Sequence, residues 1–104
     1  MKISTNGRYI LTRFGYEKGF ALLKDAGFDA VDVGLDEMTS MESALNQLGY
    51  EKKAQEIRAA ADKAGIPINQ THAPFKYPLD IWEKSENLYP ILNRTLEISG
   101  IFGA

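Results

Sequence analysis

Three polar side chains that could take part in chemistry lie in three short strand-like runs. His72 is the one histidine and ends the run 67–72, Asp32 lies within 30–35, and Asn6 ends 2–6. A histidine at a strand end can accept a proton, bind a metal or contact a substrate. It can equally be a loop histidine bonded to a backbone group. His72 is therefore the first candidate for function, with both interpretations open.

Asp32 and Asn6 each have a functional and a structural interpretation. Alternation along the strand directs Val31 and Val33 to one face of the sheet and Asp32 to the other. On that face the carboxylate of Asp32 could either support an active site or make a structural hydrogen bond, and both interpretations are open. Asn6 either contacts a polar substrate or forms a turn with the following glycine. Asp36 and its neighbour Glu37 are expected to be solvated loop charges.

Three amphipathic segments alternate with the strand-like runs. The first begins near residue 15 and ends at Gly27, the second spans 50–64 and ends at Gly65, and the third spans about 88–99 and stops at Gly100. Pro90 is expected in the first turn of the third helix, where its missing N–H breaks no internal bond. The glycines lie 38 and 35 residues apart, the length of one βα unit. Strands and helices alternating at this spacing predict a parallel sheet, either in a barrel or in an open doubly wound form.

Two long connections, 36–49 and 73–87, both follow strands. They therefore belong to the carboxyl face of the sheet, where α/β folds build ligand sites. Aromatic residues in the second connection either stack on a sugar or anchor the loop: Phe75, Tyr77 and Trp82. Four apolar residues in the first predict an amphipathic helix that packs as a lid on the rim: Met38, Met41, Leu45 and Leu48.

Composition restricts the class of protein. The 104 residues have the size of one domain, and 12 basic and 14 acidic residues are interleaved to a net charge of −2. Nucleic-acid binding has little electrostatic support, because no basic stripe is present. No apolar run approaches the roughly 20 residues of a membrane span, and no signal peptide is visible. The lack of cysteine excludes disulfides and thiolate zinc sites. We expect a cytoplasmic protein.

The order of several motifs carries a family resemblance. The chain contains LKDAGFDAVDV at 23–33, AAADKAGIP at 59–67 and QTHAPF at 70–75. This order is similar to the N-terminal region of the xylose isomerase-like barrels, and the match covers essentially the whole chain. That superfamily includes sugar and sugar-phosphate isomerases and epimerases, inosose dehydratases and the apurinic endonuclease IV type.

The resemblance implies an α/β fold that forms the first three βα units of a (β/α)₈ TIM barrel, truncated before the fourth strand. Residues 1–104 would be a single partial domain with units 1–27, 28–65 and 66–104. The whole barrel would isomerise or epimerise a sugar or sugar phosphate with a divalent metal (Mn, Mg, Co or Zn). Its metal carboxylates would lie outside this chain, so the chain alone is expected to hold no metal and to be inactive.

The same resemblance implies that four residues contact the substrate: His72, Asn6, Asp32 and Trp82. His72 corresponds to a zinc ligand in the endonuclease branch. Two alternatives remain. The chain could be a non-catalytic fragment that self-associates through exposed sheet edges. It could also be an endonuclease-like phosphodiesterase, an interpretation weakened because Lys76 is the one basic residue near His72.

Overall fold

A parallel three-stranded sheet organises the chain. A computed structural model describes residues 1–74 and 85–104, and at 85–88 it describes the backbone only. The strands β1 (Ser4–Asn6), β2 (Ala30–Gly34) and β3 (Ile68–His72) are adjacent in that order, and both pairs are parallel. The helices are α1 (Arg8–Phe14), α2 (Tyr16–Asp25), α3 (Tyr50–Ala64) and α4 (Ser85–Phe102). The prediction of an α/β fold with parallel βα repeats is confirmed.

The hydrophobic core lies between one face of the sheet and the helices. Val31, Val33 and Ile68 supply the sheet side and are at most 3% exposed. The helices contribute their buried faces, namely Phe20 and Leu23 of α2, Ala54, Ile57 and Ala61 of α3, and Ile91, Ile98 and Phe102 of α4. Burial of each large apolar side chain contributes roughly 1.5–3 kcal/mol, so this cluster is the main source of stability.

The opposite face of the sheet is polar. Ser4, Asn6 and Gln70 are exposed on it, and Asp32 and His72 are half-buried. Two cross-strand contacts lie on this face: the Ser4 hydroxyl donates to Asn69 Oδ1 at 3.0 Å, and the side chains of Asp32 and His72 are hydrogen-bonded. The sheet thus separates an apolar core from a polar surface that holds the candidate residues.

A one-residue irregularity in β3 decides which face His72 occupies. Val31 lies opposite Ile68 but Asp32 lies opposite Gln70, so Asn69 is an extra residue in β3. Strict alternation from the buried Ile68 would place His72 on the core side. The extra residue instead brings His72 to the polar face, as a β-bulge does.

Glycines in the left-handed conformation follow the helices, although one of them differs from the prediction. Gly27 and Gly65 have φ angles of 98° and 77°, as a helix stop requires. Gly100 was wrongly expected to end the last helix, which continues to Phe102, and the left-handed residue is Gly103 at φ 79°. Burial of Ile98 and Phe102 on either side of Gly100 outweighs the low helix propensity of glycine. The three stop glycines are therefore 38 residues apart each time.

Two other helix boundaries differ from the sequence expectations. The short helix α1 was not predicted, and it forms between Gly7 and Gly15 with Leu11 as its buried residue. The last helix begins at Ser85 rather than near residue 88, so Pro90 lies beyond the first turn. Proline there removes one backbone hydrogen bond. The neighbouring Ile91 is 1% exposed, and its packing offsets that loss.

The prediction of an amphipathic helix in the connection 36–49 is wrong. This connection contains two short 3₁₀ turns instead, Asp36–Thr39 and Ala44–Asn46. Met38 and Leu45 are buried, whereas Met41 and Leu48 are exposed. The side-chain amide of Asn46 donates to the carbonyls of Met38 (2.8 Å) and Ser40 (2.9 Å). These bonds satisfy backbone groups that a continuous helix would pair internally, so the loop is stable without one.

Candidate functional site

Asp32 and His72 form a hydrogen-bonded pair on adjacent strands. His72 Nδ1 lies 2.9 Å from Asp32 Oδ1, and the two side chains are 40% and 16% exposed. An ionised carboxylate can only accept, so Nδ1–H is the donor when Asp32 is charged. The register supports the contact, because His72 is opposite Gly34, two residues beyond Asp32 at the carboxyl end of β2. The sequence predicted His72 at a strand end and Asp32 within its strand, and the structure brings the two side chains together.

The second ring nitrogen of His72 faces an amide. Gln70 Nε2 lies 3.3 Å from His72 Nε2. An amide nitrogen is a donor, so this contact is favourable when His72 Nε2 carries a lone pair. Asp32 on one side and Gln70 on the other therefore favour the same neutral tautomer, with the proton on Nδ1. A carboxylate that fixes an imidazole in this way leaves Nε2 as the hydrogen-bond or proton acceptor.

Asn6 lies beside Asp32 in register but is engaged in a turn. Its Oδ1 accepts a hydrogen bond of 2.8 Å from the backbone N–H of Arg8, at the start of α1. The backbone N–H of Gly7 donates to the carbonyl of Asp32 at 2.9 Å. The side chain of Asn6 thus positions α1 against β2, in agreement with its structural interpretation.

A groove of about 740 Å³ lies at the carboxyl end of β2, between α1 and the connection that follows β2. This volume falls within the range of small-ligand sites. Arg8 and Thr12 line one wall, Asp36 and Glu37 line the other, and Gly34 contributes to the floor. Gly34 is also the register partner of His72, whereas Asp32 and His72 are not among the residues that line the groove.

Glu37 organises the groove, although its sequence context predicted only a solvated charge. The Tyr16 hydroxyl donates to Glu37 Oε1 at 3.0 Å, and the Ser43 hydroxyl donates to Oε2 at 2.6 Å. Burial, followed by the charge and hydrogen bond of Glu37, raises the pKa of Tyr16. No local spacing rule relates Tyr16 to Glu37, so the sequence offered no signal for this contact.

The connection 36–49 also contacts the last helix, α4. Arg94 Nη1 donates to Asn46 Oδ1 at 2.7 Å, and the guanidinium lies 5.2 Å from the centre of the Tyr50 ring. Tyr50 in turn donates to Glu97, and that bond, together with a smaller effect of burial, raises the pKa of Tyr50 to about 12. These contacts connect the groove wall to α3 and α4.

Within residues 1–74 and 85–104, no three His, Asp or Glu side chains are grouped so as to hold a metal ion. Phe75, Tyr77 and the predicted substrate contact Trp82 lie outside the described residues. In the described part of the chain, no helix is both long and apolar enough to cross a membrane.

Comparisons with known protein families, curated proteins and solved structures give no match for this chain. The fold and the geometry of the site are therefore the basis for a functional proposal.

Proposed function

We propose that this chain forms the first βα units of a xylose isomerase-like barrel and that Asp32 and His72 belong to the site at which the barrel isomerises or epimerises a sugar or sugar phosphate. The Asp32–His72 hydrogen bond, on the polar face at the carboxyl ends of two adjacent parallel strands, carries the proposal. Ligand sites in parallel α/β folds are built at this end. We place the rest of the sugar in the groove that Gly34 lines.

The pair can orient and accept a proton from a substrate hydroxyl. Asp32 holds Nδ1–H, so Nε2 of His72 is the acceptor, and Asp32 stabilises the imidazolium if the proton is transferred. In the structure the amide nitrogen Nε2 of Gln70 lies 3.3 Å from His72 Nε2 and is the donor to it. A bound hydroxyl would therefore replace the amide of Gln70 as the donor to His72.

The divalent metal implied by the resemblance would supply Lewis acidity in a complete barrel. The described residues do not make such a site, because a catalytic metal needs about three protein ligands and only Asp32 and His72 are paired here. No step of the proposed chemistry is assigned to a metal, and the 104-residue chain is expected to show no turnover of its own.

Sugar binding at the pair tests the proposal. D-xylose is titrated into isotopically labelled chain, and nuclear magnetic resonance follows the backbone amides of residues 32–34 and 70–72 and the ring nitrogens of His72. We expect weak, saturable shifts at these positions, and loss of the shifts in the His72→Gln variant. Gln55→Ala, an exposed change on α3, serves as the matched control and should bind as the unchanged chain does.

Shifts that leave the ring of His72 unaffected at saturating sugar would contradict the proposal. Equal binding by the His72→Gln variant would also contradict it. Turnover of the sugar by the isolated chain, lost in that same variant, would show that the chain needs no further barrel units.

Self-association is a second candidate function, and two observations favour it. In the described residues β1 and β3 each pair with a neighbour on one side only. Tyr89 and Leu96 on α4 are seven residues apart, which places them on one helix face, and they are 66% and 71% exposed. Light scattering after size exclusion should then show dimers or larger species that Leu96→Glu reduces. A monodisperse monomer would rule this candidate out.

A further inference from the structure

A second groove, distinct from the one beside β2, lies between α2 and α3. It has a volume of about 590 Å³. Three alanines, Ala21, Ala60 and Ala64, give it a shallow apolar floor, and the rings of Phe14 and Tyr16 form one wall. Phe14 remains 38% exposed, so its ring is available to a ligand. The groove combines a narrow apolar trough with an aromatic wall.

Positive charge surrounds this groove in a chain whose net charge is −2. Lys18 and Lys63 line it. Arg13 Cζ and Lys18 Nζ lie 5.7 and 5.2 Å from the centre of the Phe14 ring, and Lys53 Nζ lies 5.9 Å from that of Tyr16. These four cations face one lining carboxylate, Glu17, which is bonded to Lys63 at 2.6 Å. Arg13 and Lys18 at the Phe14 ring therefore place two cations at the aromatic end of the apolar trough.

We infer that this groove binds a small amphipathic carboxylate, with its apolar body on the alanine floor and its carboxylate near Lys18. Binding on the alanine floor removes the apolar surface of the ligand from water, which is favourable. The cations favour a negatively charged head group over a neutral one. The cation–π contacts hold Lys18 and Arg13 beside Phe14, so the charges are arranged before the ligand arrives. The inference is independent of the function proposed for the Asp32–His72 pair.

Three probes separate the two parts of this recognition. Octanoate has the apolar body and the charge, octanol has the body alone, and acetate has the charge alone. Each is titrated into the isotopically labelled full chain, and nuclear magnetic resonance follows the amides of Gly15, Lys18, Ala21 and Ala64. We expect octanoate to shift these amides at a lower concentration than either of the other probes.

Two variants and a control locate the site. Ala21→Leu fills the trough at an exposed helical position and should abolish the octanoate shifts. Lys18→Gln should weaken octanoate roughly two- to fivefold, the scale of one exposed charge contact. Lys24→Gln makes the same change in charge on α2 outside the groove and should leave binding unchanged.

The inference would be overturned by octanol binding as tightly as octanoate, or by octanoate shifts that persist in both groove variants. An octanoate response confined to Asp32 and His72 would also overturn it, since the ligand would then occupy the other site. Circular dichroism of Ala21→Leu and Lys18→Gln verifies that each variant retains its helices, so that loss of binding is not a loss of folding.

Discussion

Two helical glycines, Gly19 and Gly100, should respond differently to substitution by alanine. A Cβ atom at Gly19 would lie 2.9 Å from Leu11 Cδ2, 3.2 Å from Leu11 Cα and 3.3 Å from the carbonyl oxygen of Ile10. Two of these three atoms belong to the backbone of α1. At Gly100 a Cβ atom would meet nothing within 4 Å. The first glycine is a close contact between helices, and the second faces open space.

The magnitudes follow from helix propensity and packing. Alanine in place of a helical glycine gains up to about 1 kcal/mol, and Gly100→Ala should realise most of it. Gly19→Ala gains the same amount, but α1 must move by a few tenths of an ångström, and overpacking of this kind costs roughly 1–3 kcal/mol. Gly19→Ala should therefore be neutral to about 2 kcal/mol less stable than the unchanged chain. The two variants should differ by about 1–3 kcal/mol.

Urea unfolding followed by circular dichroism measures both variants under identical conditions. Equal slopes against urea concentration are required, so that a change in midpoint reports stability rather than a changed unfolded state. Equal stability of the Gly19→Ala and Gly100→Ala variants would refute the reasoning. It would mean that α1 moves away from the new Cβ atom without a loss of stability. Such a result would also remove the basis for treating α1 as a fixed wall of the groove that Arg8 lines.

Three further outcomes are expected. Asp32→Ala removes the acceptor of the Nδ1 proton, so the tautomers of His72 should shift from Nδ1–H toward Nε2–H; unchanged ring-nitrogen resonances would contradict the assigned hydrogen bond. Tyr16 keeps its proton to higher pH in the folded chain than in the unfolded chain, where tyrosine titrates near pH 10. The free energy of unfolding should thus fall as pH rises above about 10, and fall less in Tyr16→Phe; identical alkaline profiles would argue against a buried phenol. Asn46→Ala removes the bonds to two loop carbonyls and one to Arg94, so it should cost about 1–3 kcal/mol and speed amide exchange at 38–43, whereas Gln55→Ala should do neither.

The periodic features of the chain were predictable from its sequence. Alternation in 30–35 identified β2 and put Val31 and Val33 on one face, and the amphipathic pattern of 50–64 identified α3, whose buried residues include Ile57 and Ala61. Gly65 ended that helix as expected, since only glycine takes a left-handed φ readily. These features depend on neighbours within a few residues, which is the range that sequence patterns report.

The features that depend on contacts distant in sequence were not predictable. Gly100 resembles a helix stop, but the burial of Ile98 and Phe102 carries the helix past it. Met38 and Leu45 have helical spacing, yet the side chain of Asn46 donates to the carbonyls of Met38 and Ser40, and the connection forms 3₁₀ turns instead of a helix. The contact between Glu37 and Tyr16 joins side chains 21 residues apart, and no local spacing indicates it. In each case tertiary packing or a side-chain bond outweighs a local preference.

The extra residue Asn69 in β3 has a consequence for how relatives of this chain would be recognised and altered. Deleting Asn69 would leave composition and hydropathy nearly unchanged and would remove the irregularity, so strict alternation from Ile68 would keep His72 on the polar face beside Asp32. Sequence alignments commonly tolerate a gap of one residue in a short strand. A relative that lacks this one residue would therefore still present the Asp32–His72 pair, so a gap at position 69 does not mark the loss of the site.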